Sequence, residues 1–209
     1  MGKSSFVYRI LTTPELWQKK IDKILYCYGI YTKIVEKLSR EAPHIQLIEG
    51  LPRNLLAQPL EVLNPQETNV VVLDDTSLES QESKELTAFL SRGVTHSNTT
   101  LLSIEHFLFS PSVQRRNQSF HYNQLILFKS GRNLHQLTTL AKQTGICSPQ
   151  TLVSAYKDAT RQPYSCLVID QRLHTPDHLR LLTNVLCDHG EPTYAYINGS
   201  SESFHQNYG

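Results

Sequence analysis

The sequence has little excess charge of either sign. Its 20 Lys and Arg stand against 19 Asp and Glu, a formal net charge of +1. That excludes a bulk electrostatic pull toward nucleic acid or an anionic membrane. The basic residues are scattered, and the densest pair is Arg115-Arg116. Cysteine is sparse: Cys27, Cys147, Cys166 and Cys187 lie far apart, and no C-x-x-C occurs. Zinc and redox motifs are therefore unsupported, and free thiols in a reducing compartment are expected. No apolar run approaches the ~18 residues of a membrane span, so no membrane partner is expected, and no signal peptide is visible. Without such a signal, the Asn-x-Ser/Thr triplets at Asn98, Asn117 and Asn198 read as chance. The opening "MGKSSF" fails the myristoylation pattern because Phe6 stands where a hydroxyl is needed. There is no internal repeat.

Half of a motif is also missing. Gly2-Lys3-Ser4-Ser5 would close the phosphate-binding pattern G-x-x-x-x-G-K-[ST]. The glycine and the residues that should precede it are not in this chain, and Met1 stands in their place. Lost amide contacts to phosphate, at roughly 1–3 kcal/mol each, predict weak nucleotide binding by these residues alone.

What is present reads as alternating strands and helices. The 39% of hydrophobic residues suffice for a core, and 209 residues suggest one domain, or one and a small appendage. Val7, Ile10 and Leu11 predict a helix directly after Gly2, and Thr13-Pro14 predicts the start of another carrying Trp17 and Ile21. "KILYCYG" (23–29), "IQLIEG" (45–50), "TTLLSIE" (99–105), "QLILFKS" (124–130) and "SCLVIDQ" (165–171) read as strands. Tyr31 to Leu38, Leu86 to Leu90, Leu134 to Ala141 and Leu152 to Ala159 carry helical stripes, the last opened by Ser148-Pro149. Residues 51–69, punctuated by three prolines, read mostly as loop with a possible helical turn. "TYAYI" (193–197) is expected to pair with the strand at 165–171. The polar tail 198–209 is expected to be disordered.

The strongest strand is "NVVVLDD" (69–75). An unbroken apolar run marks a strand covered on both faces, as in a parallel sheet. Its two carboxylates fall at the carboxyl edge, where open α/β folds bind ligands. One acid could hold Mg²⁺ and the next could activate water. The pair could also do no more than end the strand. Gly2-Lys3-Ser4-Ser5 opening a helix, with an apolar-then-acidic strand about seventy residues later, follows the order of a nucleoside-triphosphate site: lysine to phosphate, serine hydroxyl to Mg²⁺.

"LYCYG", "IEGLP", "NVVVLDD", His96-Ser97-Asn98, "QLILFKSGRN" and above all "LVSAYKDATRQPYSCLVIDQRLHTPDHLRLLTN" resemble the genome-packaging ATPases of the FtsK/HerA superfamily, found in Maverick/Polinton-type elements and related DNA viruses. The similarity runs from Gly2 to about Ile197. It implies an α/β P-loop NTPase domain over 1–197: a three-layer sandwich, mostly parallel, with its first strand missing and an antiparallel C-terminal edge. It implies a Mg²⁺- and ATP-dependent translocase acting on double-stranded DNA as a homo-oligomeric ring. The location would be nucleus, cytoplasm or virion. The resemblance assigns nucleotide binding to Gly2, Lys3, Ser4 and Ser5, the metal to Ser4 and Asp74, and water activation to Asp75.

The polar sensor of the next strand corresponds to Glu105, His106 and Phe107, with His106 as a hydrogen-bond donor and Glu105 repelling a triphosphate. Arg116 matches a basic position that could act as an arginine finger across the ring. Lys142 stands where relatives often carry Arg. The alternative is a catalytically inactive remnant that keeps only an oligomerisation or DNA-interaction surface. His121, His135, His174 and His178 match no ligand spacing, so zinc is not expected.

Overall fold

The computed structural model describes residues 2–76, 83–106, 118, 121–130, 134–186 and 191–197, with the backbone of 207–208. They fall into two compact units, one spanning Lys3–His121 and the other built from Tyr122 onward together with Gly2.

The first unit runs α1 (Lys3–Thr12), β1 (Lys23–Tyr28), α2 (Lys33–Glu41), β2 (Ile45–Glu49), α3 (Arg53–Ala57), α4 (Pro59–Val62), β3 (Asn69–Asp74), α5 (Lys84–Ala88) and β4 (Thr99–Ile104). After α5 the chain winds through a π turn, Phe89–Gly93, and a last helical turn, Val94–His96. The four strands form one parallel sheet in the order β2-β1-β3-β4. Every residue of β3 is buried, as its unbroken valines predict.

Strand side chains alternate between faces. On one face Ile24, Tyr26, Val70, Val72 and Ile104 pack with Val7 and Leu11 of α1 and with Val35, Leu38 and Ala42 of α2. Each such side chain contributes roughly 1.5–3 kcal/mol on burial, and this is what holds α1 to the unit. Leu25, Cys27, Val71 and Leu73, on the other face, are buried as well. Helix α3 packs on α4, on α5 and on the π turn that follows α5, and Leu55, Leu86 and Phe89 are buried. Lys23 Nζ donates to the Val62 carbonyl at 2.6 Å, which sets the end of α4 beside the opening of β1. This is an α/β arrangement around a parallel sheet, compatible with three layers.

Two local expectations give way. Thr13-Pro14 opens only a 3₁₀ turn, Pro14–Leu16. There the chain turns extended, and the Trp17 indole N–H donates to the Ile10 carbonyl at 2.8 Å, one of the acceptors the end of α1 leaves over. Residues 51–69 hold two short helices where mostly loop with one possible helical turn was expected. Pro59 sits in the first turn of α4, where its missing N–H costs nothing, and burial of Leu55 and Leu63 overrides the punctuation.

The second unit contains β5 (Gln124–Phe128), α6 (Leu134–Thr144), α7 (Pro149–Ala159), β6 (Cys166–Asp170), β7 (Leu181–Thr183), β8 (Thr193–Ala195) and β9 (Asn207–Tyr208). Its strands form a separate antiparallel sheet in the order β5-β6-β7-β8-β9. The expectation of one mostly parallel sheet with an antiparallel edge is corrected here. A buried apolar run does not encode strand direction, and β5 pairs β6 antiparallel. Thr193–Ala195 pairs with β7, not with the strand at 165–171. At three residues β7 is too short to carry a periodic signal. Ser148 caps α7 as expected, its hydroxyl accepting from the Thr151 N–H. The Tyr156 hydroxyl donates to the Phe128 carbonyl at 3.0 Å and accepts from the Ser130 N–H at 2.7 Å, pinning the end of β5. Of the tail at 198–209, only the backbone of 207–208 is described, as β9.

The described cysteines, Cys27, Cys147 and Cys166, are free thiols. Burial pushes Cys27 up to about 12 and Cys166 up to about 11, so neither ionises near neutrality.

Candidate functional site

Strand register builds the site. Tyr28 lies opposite Asp74, and Asp74 lies opposite Ile104. The carboxyl ends of β1, β3 and β4 therefore finish level, and Gly29, Asp75 and Glu105 follow them at one rim. From β1 the chain crosses to β2; from β3 it crosses the other way, to β4. Loops that diverge so leave a crevice at the carboxyl edge, where ligands of open α/β sheets bind.

Asp74 is buried on the sheet face that α1 and α2 cover. Its Oδ2 accepts a 2.6 Å hydrogen bond from the hydroxyl of Tyr26, itself fully buried. Burial, reinforced by Asp74, raises the Tyr26 phenol well above its ordinary value, so it stays a donor. Asp75 is exposed and holds a left-handed backbone, φ 52°. The Gly29 N–H donates to the Asp74 carbonyl at 2.9 Å. A Cβ on Gly29 would stand 1.8 Å from the Asp75 carbonyl oxygen, so the turn at Asp75 needs a glycine there.

Lys3 is the first residue of α1. Its Nζ donates to the Glu105 carbonyl at 2.9 Å and lies 3.4 Å from His106 Nδ1. Burial lowers its pKa, while the charges of Asp74, Asp75 and Glu105 work the other way. The lysine thus lies in the field of both strand-end acids. An ammonium only donates, so in this contact His106 Nδ1 can serve only as the acceptor, which places a ring proton on Nε2. That nitrogen lies 3.6 Å from Asp75 Oδ1, ion-pair range for a protonated ring but too long for a hydrogen bond. Ser103 Oγ donates to Glu105 Oε1 at 3.2 Å. Ser4 is half-buried and Ser5 exposed in the first turn of α1, directly after Gly2. First-turn amides have no intrahelical acceptors, and together with the helix dipole they favour an anion.

The donor chemistry suits Mg²⁺, a hard cation that takes one or two carboxylates and completes its shell with water and substrate phosphates. Asp74 and the Ser4 hydroxyl are donors of that kind. No group of three or more His, Cys, Asp or Glu among the described residues could hold a metal by itself. A Mg²⁺ here would therefore depend on phosphate oxygens for most of its shell.

The rim thus gathers Lys3, Asp74, Asp75 and His106, with Gly2, Ser4 and Ser5 beside Lys3 in the chain. Arg116 and Phe107 lie outside the described residues. Lys142 is exposed on α6 of the second unit. His121, His135, His174 and His178 join no metal-holding group among the described residues. Sequence reasoning missed Tyr26 and Gly29. "LYCYG" carries both, but it reads as a core strand stopped by glycine, and only the register reveals the partners. No helix among the described residues is long and apolar enough to cross a membrane. Comparisons with family models, curated proteins and solved structures find no match to this chain.

Proposed function

We propose that this rim is the phosphate- and metal-handling part of a nucleoside-triphosphate site, and that the chain is a subunit of a DNA-packaging, translocating ATPase of the FtsK/HerA type, with a P-loop NTPase fold in its first unit. The observation that carries the reading is the convergence of Lys3 with Asp74 and Asp75 at one sheet edge. In this reading Lys3 leaves the Glu105 carbonyl for phosphate oxygens, and the amides opening α1 cradle the same group. Ser4 and Asp74 hold Mg²⁺, which neutralises phosphate charge when bound. Asp75 orients or deprotonates water, and His106 donates from Nε2. The DNA partner and the ring stand on the sequence resemblance alone.

A second reading, a site that binds phosphate without hydrolysing it, is favoured by the Glu105 charge beside Lys3. A carboxylate there repels a triphosphate in the ground state and opposes charge growth in the transition state.

The test is a titration of the chain with Mg-ATP at up to millimolar concentration, followed by NMR. Saturating shifts at the Lys3–Ser5 amides and the His106 ring, lost in Lys3→Ala, are expected. Shifts elsewhere only, or unchanged in Lys3→Ala, overturn the nucleotide site. Phosphate release measured alongside separates the two readings.

A further inference from the structure

We infer that Tyr26 is a positioning residue for the metal-binding acid: its hydroxyl fixes one oxygen of Asp74 so that the other faces the phosphate site. The inference deepens the proposed nucleotide site and rests on it.

Tyr26 lies in the middle of β1, opposite Val72. Its side chain and that of Asp74 share one sheet face, and the long ring spans the diagonal to a residue two positions beyond its own partner. The 2.6 Å bond to Oδ2 is the one hydrogen bond of the Asp74 side chain among the described residues. Asp74 Oδ1 is not among the buried, partnerless atoms, which are Asn69 Oδ1 and Gln136 Oε1. It therefore keeps some contact with solvent, in a carboxylate that feels the charge of Lys3.

Asp74 has two soft torsions, and in a loose site its carboxylate could turn either oxygen, or neither, toward a cation. A buried phenol with a fixed ring removes that freedom at a small entropic cost. It also leaves one oxygen of the carboxylate uncommitted. A guanidinium in the same place would engage both oxygens and oppose a cation electrostatically. Outer partners that orient a metal-binding carboxylate typically change affinity 10–100-fold when removed.

The test compares binding of a non-hydrolysable ATP analogue, with and without Mg²⁺, by calorimetry on the wild-type chain and on Tyr26→Phe, with thermal melts alongside. In the wild type Mg²⁺ is expected to tighten binding. In Tyr26→Phe that gain should shrink by about ten-fold while metal-free binding is unchanged. In an Asp74→Asn background the same change should add no further loss of the gain, because the phenol acts through Asp74. A gain fully retained in a folded Tyr26→Phe chain overturns the inference and leaves the nucleotide site standing. So does an equal fall with and without Mg²⁺, which marks a purely structural tyrosine. A wild-type chain that binds the analogue with no magnesium dependence overturns the metal site and the inference together. If Tyr26→Phe does not fold, 3-fluorotyrosine at position 26 keeps the ring and makes the hydroxyl a stronger donor. A changed magnesium gain then supports the inference, and an unchanged one sinks it.

Discussion

The two units each end a buried apolar strand in an aspartate, and the two aspartates meet opposite fates. In the first unit Asp74 closes "NVVVLD" and shares one oxygen with a neutral phenol. In the second, Asp170 closes "CLVID" and accepts from the Arg172 N–H at 3.0 Å, from the Arg172 guanidinium through both oxygens, and from the Gln124 amide at 3.1 Å. Burial pushes the Asp170 carboxyl up, but these partners outweigh it and hold the acid well below the usual carboxylate range. Both carboxylate oxygens of Asp170 are occupied, which leaves a cation little to bind. Asp74 keeps an oxygen in reserve and has a lysine nearby. The apolar-run-then-Asp pattern marks a position in a sheet; the partner decides between scaffold and site.

The supporting devices differ too, and breaking each should separate the two ends. At Asp74 the device is a glycine. Gly29→Ala drives a Cβ into the Asp75 carbonyl, backbone that cannot step aside cheaply. We expect roughly 3 kcal/mol lost from the first unit, read by native-state hydrogen exchange at the β3 amides, with β6 amides unaffected. A loss below about 0.5 kcal/mol would mean that the close approach is not what shapes the rim.

At Asp170 the device is an arginine. Asp170→Ala should cost the second unit roughly 2 kcal/mol at the β6 amides, as expected for lost charge-assisted hydrogen bonds, with the Mg-ATP shifts at Lys3 unchanged. The pH dependence follows from the direction of the shift. A carboxyl depressed in the fold contributes stability that is fully present above its unfolded value, near pH 4, and is lost as pH falls from there toward the folded value. Protection of the β6 amides should therefore fall below about pH 4 in the wild type and flatten in Asp170→Asn. A profile identical in both chains would remove Asp170 as the cause.

The sequence made some of this legible and hid the rest for physical reasons. β1, β3 and β6 are legible because continuous burial needs continuous apolar residues. The opening helix and the twin acids are legible because the apolar face of Val7, Ile10 and Leu11 and the acids ending a strand are local signals. Strand direction is not local, so an antiparallel edge was legible at the C-terminal end but its extent as a separate sheet from β5 onward was hidden, as was the three-residue β7. Tyr26 was hidden because a tyrosine in an apolar strand is an ordinary core residue until a register aims its hydroxyl at a carboxylate. The turn at Asp75 was hidden because the residue its carbonyl packs against, Gly29, lies some forty-six positions away in the chain.

That turn supplies the smallest and sharpest test. Asp75 is exposed and left-handed, a conformation that costs a side-chain-bearing residue on the order of 1 kcal/mol and glycine almost nothing. If the residue only ended the strand, glycine would serve better. Asp75→Gly removes the backbone cost, gives up the 3.6 Å approach to His106 and adds freedom to the unfolded chain. The balance should be a gain of about 0.5 kcal/mol in the first unit, with any phosphate release abolished. Stability rising while turnover is lost would mark a residue kept for chemistry at the expense of the fold. A fall of 1 kcal/mol or more would show that the Asp75 side chain itself stabilises the rim, and the functional contrast with Asp170 would narrow to Asp74 alone.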